Sequence, residues 1–151
     1  MRLLLTALTV VSFESCYYEA SQPLTPTHTA QVDTHLLGTW YAPGEDGIVR
    51  VLPFDNHSFV IAIDSKDDHD VLRAHVTELG RNRFLNVVDL QKEKSNYLFF
   101  RYEWAGDTLV VRGLKDVAPP PLAGPTTLRT WLSQRSDDTR IYDDAIRLVR
   151  K

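Results

Sequence analysis

The chain has 151 residues, 43% of them hydrophobic and 25% charged, which suits one ordinary globular domain with short appendages and excludes both wholesale disorder and a multi-span membrane protein. Its net charge of -3 comes from interleaved acids and bases, and the densest cluster, Asp64-Ser65-Lys66-Asp67-Asp68-His69-Asp70, is acidic. Nucleic-acid binding asks for a basic field that displaces counterions from phosphate, so no nucleic-acid partner is expected. The one cysteine, Cys16, excludes an intramolecular disulfide framework and a multi-thiolate metal site, and the apolar core must hold the fold.

Arg2 precedes the apolar run Leu3 to Val11, a charged n-region followed by an h-region too short to span a bilayer. Phe13-Glu14-Ser15-Cys16 follows, and a small residue before cysteine at this place resembles a bacterial lipobox, although Glu14 stands where an aliphatic residue is usual. The resemblance implies a signal peptide over 1–15 and a membrane partner reached through a lipid anchor on Cys16. Tyr17 rather than Asp after that cysteine resembles outer-membrane sorting, which implies the periplasmic face of the outer membrane in a Gram-negative envelope. Residues 16–33 are rich in Ser, Thr and Pro without a periodic apolar face, and the expectation is a flexible tether.

The domain is expected over 34–151, as short apolar runs with two-residue alternation separated by turn signals. In chain order the strands are 36–41, 48–52, 58–63, 71–77, 84–88, 97–104 and 108–114. Seven successive strands bury their edges best by closing into an up-and-down antiparallel β-barrel, and an eighth is needed to finish it. In the strand 97–104, Leu98, Phe100 and Trp104 share one face while Tyr97 and Phe99 share the other. Two apolar faces suit a barrel wall filled on the inside and covered on the outside.

Pro119-Pro120-Pro121 cannot join a ladder. Gly124-Pro125-Thr126-Thr127 then supplies a threonine cap for a helix over about 126–136, whose Leu128, Trp131 and Leu132 form a stripe that would lie on the barrel. Residues 141–151 fit a helix face or a strand, and the strand that returns to complete the barrel is preferred.

Gly38-Thr39-Trp40 at the head of the first strand, the meander and the late helix together resemble the lipocalin-like (calycin) group, in particular small bacterial lipocalin-like lipoproteins. The Thr-Asp-Tyr motif of lipocalins is absent. The resemblance implies that Trp40 plugs the closed end of the barrel, that Gly38 permits close backbone approach there, and that Arg112, Arg147 or Arg150 covers the indole.

For catalysis the chain offers no Gly-x-Ser-x-Gly elbow, Ser-x-x-Lys pair or phosphate loop, so a non-catalytic role without a cofactor is expected. The acidic cluster with His57 and His75 offers oxygen and nitrogen ligands, but lacks the Gly and distal Glu of a calcium loop, and no metal is assigned. His75 alternates with Leu72, Ala74 and Val76 and is expected to face water, and Asp143 and Asp144 point to opposite faces of an extended chain. Two functions stay open: a binding module for a small apolar ligand, with Phe59, Ile61, Phe84, Tyr97, Phe99 and Tyr102 as candidate lining, or an envelope protein-interaction module whose barrel is solid.

Overall fold

β-Branched and aromatic residues recur in short runs along most of the chain, and a computed structural model forms strands of two to eleven residues there. The structure describes residues 17–116, 119–120 and 125–151, with the side chains of Pro125 and Thr126 excepted. The signal segment 1–15, Cys16, Pro121 and Gly124 lie outside that set. Among the described residues there are nine strands: β1 (Glu19–Ala20), β2 (Gly38–Tyr41), β3 (Ile48–Pro53), β4 (Phe59–Asp64), β5 (His69–Leu79), β6 (Asn82–Asp89), β7 (Tyr97–Ala105), β8 (Thr108–Gly113) and β9 (Ile146–Arg150). One α-helix, α1 (Pro125–Arg135), precedes β9.

Strands β2 to β9 pair in order, every pairing antiparallel, and β9 pairs with β2 as well as β8. The sheet is therefore a closed eight-stranded up-and-down barrel, and the terminal segment supplies the closing strand. The register puts loops 42–47, 65–68 and 90–96 at one end, and turns 54–58, 80–81 and 106–107 at the other. β1 adds to β7 where β8 draws away, through Glu19 opposite Leu98, and Tyr17 bridges Lys115.

Alternation sorts the side chains into two cores. Val51, Phe59, Ile61, Leu72, Val87 and Phe100 belong to the inner one, with Trp40. Phe84, Phe99, Leu79 and Leu114 face outward and are sealed by Leu128 and Leu132 of α1, Leu24, Ile141 and Tyr142, with Trp131 packed against them. Each fully buried aliphatic or aromatic side chain contributes roughly 1.5–3 kcal/mol, so the outer core is a major part of the stability. Helix α1 opens at Pro125, whose missing amide hydrogen costs nothing in a first turn. The two threonines expected as a cap thus lie inside that turn.

The segment expected as a free tether is packed on the barrel from Tyr17 onward. Leu24 and Ala30 are buried, and β1 extends the sheet. The Leu24 amide donates to Asn86 Oδ1 at 2.7 Å, and Asn86 in turn donates to the His75 carbonyl and to Thr77 Oγ1. Arg129 of α1 donates to the Leu24 carbonyl and Thr25 Oγ1, holding the strap from above. The outward-facing polar residues His75, Thr77 and Asn86 of β5 and β6 receive it.

His75 consequently does not face water. It points outward as alternation requires, but the strap covers it to 2% exposure. Its Nε2–H donates to the Thr25 carbonyl at 2.7 Å, which leaves Nδ1 to accept from the Thr27 hydroxyl. Burial lowers the pKa of the imidazole, with Arg73 acting the same way and the bond to Thr25 opposing. A group held neutral in the fold and protonated in the unfolded chain favours unfolding, so its contribution is full above the ordinary histidine range near 6.5 and falls as pH drops through that value. The melting temperature should decline between pH 7 and pH 5, and His75→Gln should flatten that decline; an unchanged slope in the variant would show that the strap is not closed over a neutral ring.

Candidate ligand cavity

The inner faces of β3 to β6 carry aliphatic chains, Val49, Val51, Ile61, Ile63, Leu72 and Val87, that do not meet across the barrel axis. They leave a cavity of about 170 Å³. An apolar hole of roughly 150 Å³ suffices for a benzene-sized guest, so one ring or a short alkyl chain fits. Larger groups, Trp40, Phe59 and Phe100, complete the wall. Ala42 and Gly47 of the β2–β3 loop, Ser65 and Asp68 of the β4–β5 loop and Asp70 at the head of β5 form the mouth, at the end that carries loops 42–47 and 65–68. A second, more polar hollow of about 120 Å³ adjoins it, sharing Leu72 and Val87 and bounded by Glu19, Asp89, Lys92 and Lys94.

The opposite end is shut. Trp40 is 1% exposed, and its Nε1–H donates to the Leu36 carbonyl at 2.9 Å. Of the three arginines expected to cover the indole, Arg150 does so, with its guanidinium carbon 4.3 Å from the ring centroid. The same guanidinium donates to the carbonyls of Leu37 and His35, so the last strand ties down the chain that enters the first barrel strand. Gly38 has φ of 135°, a conformation that side chains avoid, and a Cβ there would sit 2.5 Å from Arg150 Nη1. Arg112 instead pairs with Glu103 at 2.6 Å on the outside. Arg147 alternates to the outer face of β9. Tyr102 Oη donates to Asp33 Oδ2 at 2.9 Å, and Arg83 pairs with the same oxygen at 3.2 Å. Burial and the neighbouring Asp33 carboxylate push the phenol pKa well up, so Tyr102 stays a donor.

Phe59 and Ile61, among the six candidate lining residues, stand in the cavity wall. Tyr102 is inward but below the cavity, as part of the plug. Phe84, Phe99 and Tyr97 do not line it: they alternate out of phase with Leu85, Leu98 and Phe100 and lie in the outer core, Phe84 near Tyr142, Phe99 near Tyr18 and Tyr97 edge-on to His75. Both faces of β6 and β7 are apolar, so composition alone gives no phase. The phase is carried by polar partners on the outer face, Arg50, Asp64, Arg73 and Asn86, which mark Val49, Val51, Ile63, Leu72 and Val87 as inward.

The acidic cluster divides between the two faces. Asp64 points outward and takes hydrogen bonds from His69 at 2.9 Å and from Arg50, which hold its carboxyl below the usual range. Asp68 and Asp70 line the mouth. Among the described residues no group of three or more His, Cys, Asp or Glu side chains is gathered tightly enough to hold a metal ion.

Removing the plug should be costly. Trp40→Ala should destabilise the fold by about 3–5 kcal/mol, the range for large buried aromatics. Arg150→Ala should cost roughly 1–3 kcal/mol through the lost ring contact and carbonyl bonds, with Arg150→Lys restoring only part because an ammonium cannot span both carbonyls. Urea unfolding monitored by circular dichroism measures all three, and a neutral Arg150→Ala would contradict the assigned role.

Comparisons of the chain with family models, with curated proteins and with solved structures return no match.

Proposed function

We propose that this protein is a non-catalytic, lipocalin-like binding module, moored in the cell envelope by lipid on Cys16, whose barrel holds a small apolar ligand. The observation that carries the proposal is the apolar hollow of about 170 Å³, open at one end and plugged at the other. A barrel acting only as a scaffold gains by filling such a hole, since every unfilled cavity forfeits packing energy, and the hollow therefore favours container over solid interaction module. The arrangement of Gly38, Trp40 and Arg150 supports the lipocalin-like resemblance. The polar side chains of the lining are Ser65, Asp68 and Asp70 at the rim, where the Ser65 hydroxyl donates to the Asp68 backbone carbonyl rather than to a carboxylate.

The anchor rests on the signal features of residues 1–16. Tyr17 is packed against Phe100, ring centroids 5.2 Å apart, and fills the space that a side chain at Gly113 would need. The residue that would carry lipid thus immediately precedes one packed on the wall. Cys16→Ser should move the protein from the membrane fraction to the soluble fraction, and unchanged fractionation would remove the anchor from the proposal.

The cavity is tested by isothermal titration calorimetry with toluene, a neutral one-ring probe. Binding should be detected with the purified protein and lost in Ile61→Trp, which fills the hollow. Because the added ring occupies empty space, that variant should lose less than the roughly 1–3 kcal/mol typical of overpacking a full core. A wild-type protein that does not bind toluene would overturn the container.

A further inference from the structure

We propose that the ligand of this cavity is a small cationic amphiphile, an apolar ring or short chain seated against Ile61, Leu72 and Val87 with an ammonium group held at Asp68 and Asp70 in the mouth. The inference rests on the container function and names the chemistry of what is contained. Below the rim the wall offers neither donors nor acceptors from side chains, so the buried part of the guest must be hydrocarbon. At the rim the lining carries two carboxylates and no cation.

Asp70 is the sharper of the two. It heads β5 with an inward direction shared with Leu72 and Ala74, and it is part-buried. Among the described residues its carboxylate takes no hydrogen bond and no ion pair, unlike Asp55, Asp64, Asp89 and Asp138, each of which holds an arginine or lysine. The charged groups around it are Asp68 from the β4–β5 loop, Asp89 from β6, His69 beside it on β5, and Lys92 from the β6–β7 loop. Lys92 lies 3.7 Å from Asp89, which draws that ammonium to another carboxylate. Burial raises the pKa of Asp70, and Asp89 and Asp68 raise it further, with Lys92 and His69 opposing. The mouth therefore carries net negative charge that Lys92 and His69 offset only in part.

A guest with an ammonium head relieves that charge while its tail fills the hollow. A guest with a carboxylate head adds a like charge at short range in a partly desolvated site, where water screens it least. A hydroxyl head falls between them. The site thus discriminates by the sign of the head group rather than by the shape of the tail.

Octylamine (an ammonium at neutral pH), octanol and octanoate share one tail and differ in head charge. Each is titrated directly into the full chain by isothermal titration calorimetry, at low and at moderate salt. Octylamine should bind about tenfold more tightly than octanol, the scale of one partly desolvated charge pair, with octanoate weakest and the advantage shrinking as salt rises. In the double variant Asp68→Asn with Asp70→Asn the octylamine-to-octanol ratio should approach unity. Octanoate equal to or tighter than octylamine on the wild-type protein, or a ratio that survives in the double variant, overturns the cationic assignment while leaving the container standing. Failure of all three and of toluene to bind overturns the container and this assignment with it.

Discussion

The fold depends on a five-residue strand near the end of the chain. Residues Ile146–Arg150 pair with β8 on one side and β2 on the other, and without them seven strands form an open sheet with two bare edges. Closure also creates the inside. Leu109, Val111, Val49 and Val51 belong to one interior only because Ile146 and Leu148 stand between them on the wall. The same strand ends on Arg150, which roofs Trp40 and binds the carbonyls of His35 and Leu37. Pairing, plugging and fastening of the closed end are therefore one event, and the interior has no definition until the strand arrives.

A hollow interior has to be offset elsewhere. A chain of this size with one unfilled core would give up packing energy that small domains rarely spare. Here the second core lies outside the wall, where α1, the strap over residues 17–33 and the turn before β9 cover Phe84, Phe99 and Leu114. The strap adds directional bonds through Asn86 and His75. Asn82 fastens the far end of the helix through Ser136 and Asp137. Strength gathered on the outside lets the inside stay open.

Much of this was legible in the sequence, because period-two alternation and turn residues are local signals. The seven strands, the helix with Leu128 and Leu132 facing the barrel, and the closing strand over Ile146–Arg150 stand where the pattern puts them. What the pattern withheld was phase and partnership. Tyr97, Phe99 and Phe84 are as apolar as Leu98, Phe100 and Leu85, so nothing local says which set turns inward. The strap was hidden for a different reason. Its Ser, Thr and Pro residues have no apolar period, and it is held by single anchors such as Leu24 and by backbone groups meeting Asn86, His75 and Arg129, all distant in sequence. His75 follows from that omission, since alternation gave its direction correctly but could not supply its cover.

The same alternation that builds the wall also distributes the charge of the acidic segment. Asp64 closes β4 on the outer face, where Arg50 reaches it diagonally from the neighbouring strand and His69 lies opposite across the turn, and its charge is neutralised there. Asp70 opens β5 on the inner face, whose period continues into Leu72, Ala74 and Val76 and brings no base with it. Ion pairs on a barrel form between residues that share a face, so an inward carboxylate at the rim can be answered only from the loops or from the contents of the barrel. The loops offer Lys92, which lies beside Asp89. The turn that sets Asp64 opposite His69, and Ile63 opposite Asp70, has thus placed two acids six positions apart on different faces, one in a satisfied surface pair and the other unpaired at the mouth of an apolar hole, and the difference between them is the chemistry that the interior asks of a guest.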